Sequence, residues 1–170
     1  TTLPAKDLWY SEGTINYYYG GQYFAVFLTK ITGSRVELTY NLMRTFVAAF
    51  AFVFPFSLIH QMAVDKLGKD LTGKKRCVPA LSGILAGISV SIAGNMHYVV
   101  YCKIIPWIQT LQGKEPDSYW FPDATRYIGY NPDVPDKTIH EFPCYSFVLG
   151  DLHAHVVNVM FVLFLTGLLY

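Results

Sequence analysis

Charge is what this sequence has least of. Only 15% of its 170 residues are Asp, Glu, Lys or Arg, and the net charge is +1, against roughly 25% charged residues in an ordinary soluble domain. With no basic surplus to neutralise a phosphate backbone, bulk electrostatics imply no nucleic-acid partner. Cysteine is scarce as well. Cys77, Cys102 and Cys144 are odd in number and follow no metal-ligand spacing, which argues against a disulfide framework or a zinc site and reads them as buried thiols. The start shows no basic segment followed by an apolar core and a small-residue cleavage site. Thr1 opens the chain and Tyr170 falls inside an apolar run, so the sequence is expected to be an excerpt of a longer chain, with any targeting signal upstream or in a span.

What is present is apolar and aromatic: 52% of residues are hydrophobic and 16% are Phe, Trp or Tyr. No Asp, Glu, Lys or Arg occurs from Cys77 to Cys102 or from Leu152 to Tyr170, and a membrane span needs about 20 such residues. The expected class is an all-α membrane protein, a multi-pass transmembrane helix bundle in the plasma membrane. Three spanning helices are expected, over residues 39–64, 78–101 and 146–170. The first carries Pro55, whose freed carbonyl neighbouring helices can satisfy. The second has Pro79 in its first turn and Gly83, Gly87 and Ser91 at four-residue spacing, a pattern that lets membrane helices approach closely.

Residues 65–77 form a short loop dense in Lys66, Lys69, Lys74, Lys75 and Arg76. Short cytoplasmic loops are enriched in Lys and Arg, so this loop is expected inside. Residues 102–145, with six acids against three bases from Ile104 to Tyr145, then form a long outer loop, whose Trp107, Tyr119, Trp120, Phe121, Tyr127 and Tyr130 argue against disorder. Residues 1–35 are then expected outside as well, as an outer loop and an interfacial helix near 15–31, although Lys30, Arg35 and Arg44 on that side run against the charge rule and a spanning 15–31 is the alternative. Tyr17, Tyr18 and Tyr19 suit that place, with rings in the acyl boundary and hydroxyls among headgroups.

The polar residues converge on the outer side. In a regular helix Asp151, His155 and Asn158 stand at i, i+4 and i+7 on one face of a segment otherwise made of Val, Leu, Phe and Met, with His153 pointing elsewhere. Ionisable groups in such a segment face a bundle interior or a cavity and suggest function. With His140 and Glu141 nearby, two chemistries fit. Asp151, His153 and His155 could ligate a divalent metal ion, or they could grip a phosphate or sugar by hydrogen bonds and serve in proton transfer.

The stretches "DLWYSEGTINYYYGGQYFAVFLTKITG", Gly94 with Asn95, and "IHEFPCYSFVLGDLHAHV" resemble the successive motifs of the "YYY" family, multi-pass membrane proteins without an assigned function. That family reads D-P-W-x-A-G, I-N-Y-Y-Y-F-G and E-F-P-x-x-S-F-L-x-x-D-L-H-P-H. The resemblance covers essentially the whole chain, departing at Leu8, Gly20, Gly21 and Ala154. The family in turn resembles the GT-C glycosyltransferases, which take a sugar from a polyprenyl-phosphate carrier at the outer membrane face.

The resemblance implies an excerpt of a larger GT-C-like fold, a polyprenyl-phosphate-linked sugar donor and membrane lipid as partners, and a first acidic motif upstream of Thr1. Within this chain Asp7 or Asp151 is then the candidate catalytic carboxylate, with Asp7 either a substitute base or a supporting residue. Tyr17, Tyr18, Tyr19, Arg126, Glu141, His153, His155 and Asn158 are then candidate substrate-binding residues, with Lys137 a second candidate cation for the leaving phosphate. The alternative is a non-catalytic membrane scaffold or a carrier with a polar outer mouth. A carrier should show related halves and polar residues near mid-membrane. No internal repeat is visible here, and the polar residues cluster at one end.

Overall fold

The computed structural model describes residues 4–68, 70–94, 96–122, 133, 135 and 141–170. Among these, every regular element is helical, and an isolated bridge joins Lys6 and Thr14. Helix α1 is Gly20–Thr32 and α2 is Val36–Leu67. A short 3-10 turn, Gly73–Cys77, leads into α3, Val78–Ser91. A π-helical stretch, Val99–Ile104, runs on into α4, Ile105–Leu111. Helices α5, Pro143–Leu149, and α6, Ala154–Leu169, close the chain.

Helix α2 is the one helix among the described residues long and apolar enough to cross a membrane, with a mean hydropathy of 1.9 in its best window. Its 32 residues rise about 48 Å, well beyond the ~30 Å of a hydrocarbon core. It continues through the buried Pro55, which gives up one backbone hydrogen bond to do so. Its buried side chains, Thr39, Met43, Val47, Ala51 and Pro55, recur every four residues.

Two helices stop short of their expected bounds. The helix expected over 78–101 ends at Ser91 and resumes at Val99. The one expected over 146–170 is split into α5 and α6 around Gly150, which takes a left-handed conformation with φ 73°.

Helix α3 returns antiparallel to α2, and the small-residue stripe is the contact. Gly83, Gly87 and Ser91 are buried together with Pro79. A Cβ on Gly83 would lie 2.8 Å from the Phe56 backbone oxygen, and one on Gly87 would lie 2.7 Å from the Phe52 ring. Helix α6 instead runs parallel to α2. Met43 and Val47 pack with Val156, Val157 and Met160 at one end, Phe54 meets Phe164 further along, and the Tyr170 hydroxyl donates to Asp65 Oδ2 at 2.8 Å at the other end.

Helix α1 begins after the three tyrosines, at Gly20, and lies against the starts of α2 and α6. Thr29 and Thr39 share a hydroxyl hydrogen bond of 2.6 Å, Phe24 meets Phe161 edge-on at 5.5 Å, and a Cβ on Gly21 would touch Val157 at 3.0 Å. Its 13 residues span about 20 Å, too short to cross ~30 Å of hydrocarbon. The core where α1, α2, α5 and α6 meet is built from Ala25, Met43, Val47, Leu152, Val156, Val157 and Met160, with Phe147 packed against them. Part of the long connection is also ordered by its aromatics: Tyr119 contacts His97 and Tyr98, and Phe121 stacks on Tyr145 at 5.3 Å.

This arrangement has two distinct ends. One holds α1, the break after α3 and the α5–α6 junction. The other holds Asp65, Lys66 and the turn with Lys74, Lys75 and Arg76.

Candidate functional site

The junction between α5 and α6 is set by local sequence. Pro143 opens α5, where a missing N–H is no loss. Gly150 closes it: the N–H groups of Gly150 and Asp151 both donate to the Ser146 carbonyl, at 2.8 and 2.9 Å. From there the chain is extended to His153 (φ −62°, ψ 141°), whose carbonyl accepts the first bonds of α6 from Val156 and Val157. Successive side chains of an extended segment point to opposite sides. Leu152 therefore enters the core, 1% exposed, and its carbonyl is held by Gln22 Nε2 at 2.7 Å. Asp151 and His153 turn the other way, together.

His153 is the centre of what results. Its Nδ1 lies 3.3 Å from Glu141 Oε2, 3.4 Å from Asp151 Oδ2 and 3.4 Å from the hydroxyl of the fully buried Ser146. Two carboxylates at ion-pair distance and a hydroxyl at hydrogen-bond distance from one ring nitrogen favour a proton there, the arrangement that would leave Nε2 for chemistry. The neighbouring His155 ring is 5.6 Å away, centroid to centroid, and its Nε2–H donates to the Glu141 carbonyl at 3.0 Å. His155 and Asn158, three residues apart on α6, line an open cleft of about 540 Å³ with Tyr18, Gly20 and Gly21.

The expected grouping of Asp151, His155 and Asn158 on one helix face is therefore corrected. Asp151 precedes α6 and sides with His153 and Glu141, because Gly150 ends the helix before it. His153, expected to point away, is the residue the carboxylates surround. The candidate metal set Asp151, His153 and His155 does not assemble: among the described residues no three His, Cys, Asp or Glu side chains form a metal-binding group, and His155 is turned to a backbone carbonyl.

Asp7 holds its own turn, Oδ1 accepting from the N–H of Trp9 at 2.7 Å and more weakly from that of Tyr10. Of the tyrosines, Tyr18 reaches the cleft. Tyr17 packs beside it at 5.9 Å, and Tyr19 stands just before α1, its backbone carbonyl accepting the first helical bond from the Tyr23 N–H at 2.8 Å. Arg126 lies outside the described residues, as do Asn95, Lys137 and His140.

Three residues at this end escaped sequence reasoning. Ser146 and Gln22 are ordinary in the sequence, and only the fold brings them to the junction. Arg44 left a readable signal, a lone cation in the third turn of an apolar helix. It lines a second cavity, of about 310 Å³, on the flank of the junction, together with Asp151, Ser146 and Gly150.

Comparison with curated proteins and with solved structures found no match to the chain. A family model described as an uncharacterised membrane protein matches residues 1–170. With an apolar helix of spanning length and a family match from end to end, the chain belongs to the DUF2298 family of membrane proteins.

Proposed function

We propose that this chain is part of a multi-pass plasma-membrane glycosyltransferase of GT-C type, which moves a sugar from a polyprenyl-phosphate donor to an acceptor at the outer face. The observation that carries the reading is the placement of His153 between the Glu141 and Asp151 carboxylates, 3.3 and 3.4 Å from its Nδ1. A carboxylate-oriented imidazole is suited to take a proton from an attacking hydroxyl. It stands at the end of the helices opposite the Lys66–Arg76 segment, and short basic loops face the cytoplasm, so the reaction belongs outside.

In the step proposed, the acceptor oxygen bonds to the anomeric carbon of the sugar. The bond from that carbon to the phosphate oxygen breaks, its electron pair leaving with the lipid phosphate, and the acceptor proton passes to His153 Nε2. Asp151 and Glu141 hold the ring. The cleft of Tyr18, His155 and Asn158 offers hydrogen bonds to the sugar, and the remaining tyrosines meet the lipid chain. Asp7 acts in support of its own turn.

The test is sugar incorporation from membrane lipid by the full-length protein beside its His153→Ala and Asp151→Asn variants. General-base loss costs roughly 10²–10⁴ in rate, so His153→Ala should fall at least a hundredfold with its thermal midpoint nearly unchanged. Full activity in both variants, or none in the parent, would overturn the reading and leave a scaffold or carrier.

A further inference from the structure

We infer that Arg44 and the Gly150 junction form a subsite for a phosphate ester that also carries hydroxyl groups. The inference rests on the transferase reading only for the identity of that ester.

Arg44 is half-buried on α2. Its Nη1 donates to Asn41 Oδ1 at 2.9 Å, but its buried Nε has no acceptor, and no carboxylate of the described residues pairs with the guanidinium. A partly desolvated cation without a counter-charge is unfavourable unless something supplies one. The planar guanidinium fork matches the oxygens of a phosphate.

The backbone around it is shaped to admit the group. The Arg44 guanidinium lies where a Cβ on residue 150 would have to be, and Gly150 has none. Its left-handed φ of 73° disfavours any other residue there.

The cavity of about 310 Å³ beside Arg44 is also lined by Asn41, Thr45 and Asp151. A cation and a carboxylate that line one cavity without pairing with each other do not suit a bare anion. They suit a molecule with an anionic phosphate at Arg44 and a hydroxyl donating to Asp151, which is the chemistry of a glycosyl phosphate. Because Asp151 also touches His153 through Oδ2, such a ligand would reach the junction from its α2 side.

The source of the ester can be a lipid-linked sugar or a soluble sugar phosphate, and the experiment separates them. Full-length protein in nonionic micelles is titrated with inorganic phosphate, glucose 1-phosphate and a polyprenyl-phosphate-linked glucose. The variants are Arg44→Gln, Arg44→Lys and Asp151→Asn, and folding is checked by elution profile and thermal midpoint.

The parent should bind at least one ester more tightly than inorganic phosphate. Arg44→Gln should weaken ester binding about tenfold or more, the usual worth of charged hydrogen bonds. Arg44→Lys, which keeps the charge and loses the fork, should fall between, and it decides the matter if the Gln variant does not fold. Asp151→Asn should bind inorganic phosphate more tightly than the parent does. Preference for the lipid-linked probe identifies a membrane donor, and equal binding of glucose 1-phosphate identifies a soluble one.

Absence of ester binding in the parent, or equal binding with and without Arg44, would overturn the subsite. Sugar transfer measured alongside keeps the two proposals apart. Transfer that ignores Arg44→Gln rejects the subsite alone, whereas Arg44-dependent binding without transfer rejects the transferase alone.

Discussion

Gly150 decides where the polar side chains of the junction go. Its left-handed φ ends α5 early enough for Asp151 to leave the helix and for Leu152 and His153 to take opposite sides. A non-glycine residue held in that conformation costs about 1–2 kcal/mol. Gly150→Ala should destabilise the solubilised protein by at least that amount, read from thermal unfolding, because its methyl must also displace the Arg44 guanidinium. Leu152 is the counterweight: fully buried and anchored through its carbonyl by Gln22, it keeps the extended segment in place. Leu152→Ala should cost about 2–5 kcal/mol, the range for truncating a buried Leu, and should lower activity along with stability. His153→Ala is expected to spare stability.

At the scale of elements, α3 is held to α2 by the absence of side chains. A methyl at Gly83 meets the Phe56 backbone oxygen, which cannot swing aside, whereas the atoms nearest one at Gly87 belong to the Phe52 side chain, which can turn. Overpacking of such contacts costs about 1–3 kcal/mol. Gly83→Ala should fall at the upper end of that range and Gly87→Ala at the lower, a ranking that thermal unfolding of the two variants checks.

This packing was legible in the sequence, because four-residue spacing of small residues has one geometric meaning on a helix. The helix ends were not. Between Val78 and Tyr101 only the Gly94–Asn95 pair hints at the break after Ser91, and glycine inside an apolar run is common in membrane helices. The same ambiguity hid the role of Gly150, so the helical period assigned Asp151 to the wrong partners. The residue types of the junction were readable from "GDLHAH". Their pairing depended on a single backbone dihedral, and Arg44 joined them only through the packing of α2 against the junction.

At the scale of the whole molecule, the basic turn and the junction stand at opposite ends of α2. If α2 crosses the membrane, the two ends face different compartments, and the excess of Lys and Arg assigns the basic end to the cytoplasm. Cys77, expected as a buried thiol, is instead exposed at that end, in the basic turn. An impermeant thiol reagent applied to intact cells should therefore miss Cys77 and label a cysteine substituted for the exposed Trp9, which precedes α1. Labelling of Cys77 under conditions that leave position 9 unmodified would reverse the orientation and move the junction to the cytoplasmic side.

The hydrogen bond from Tyr170 to Asp65 carries a rule of parity. Because α6 finishes beside the end at which α2 finished, the chain from Gly68 to His153 has to make a full return journey before α6 begins. Whatever the membrane does with that returning segment, positions just after Tyr170 and just after Leu67 share a compartment. A compartment-sensitive reporter fused behind Tyr170 and one inserted at Asp70 should then give the same signal, and opposite signals would mean that α2 and α6 do not lie side by side in the membrane.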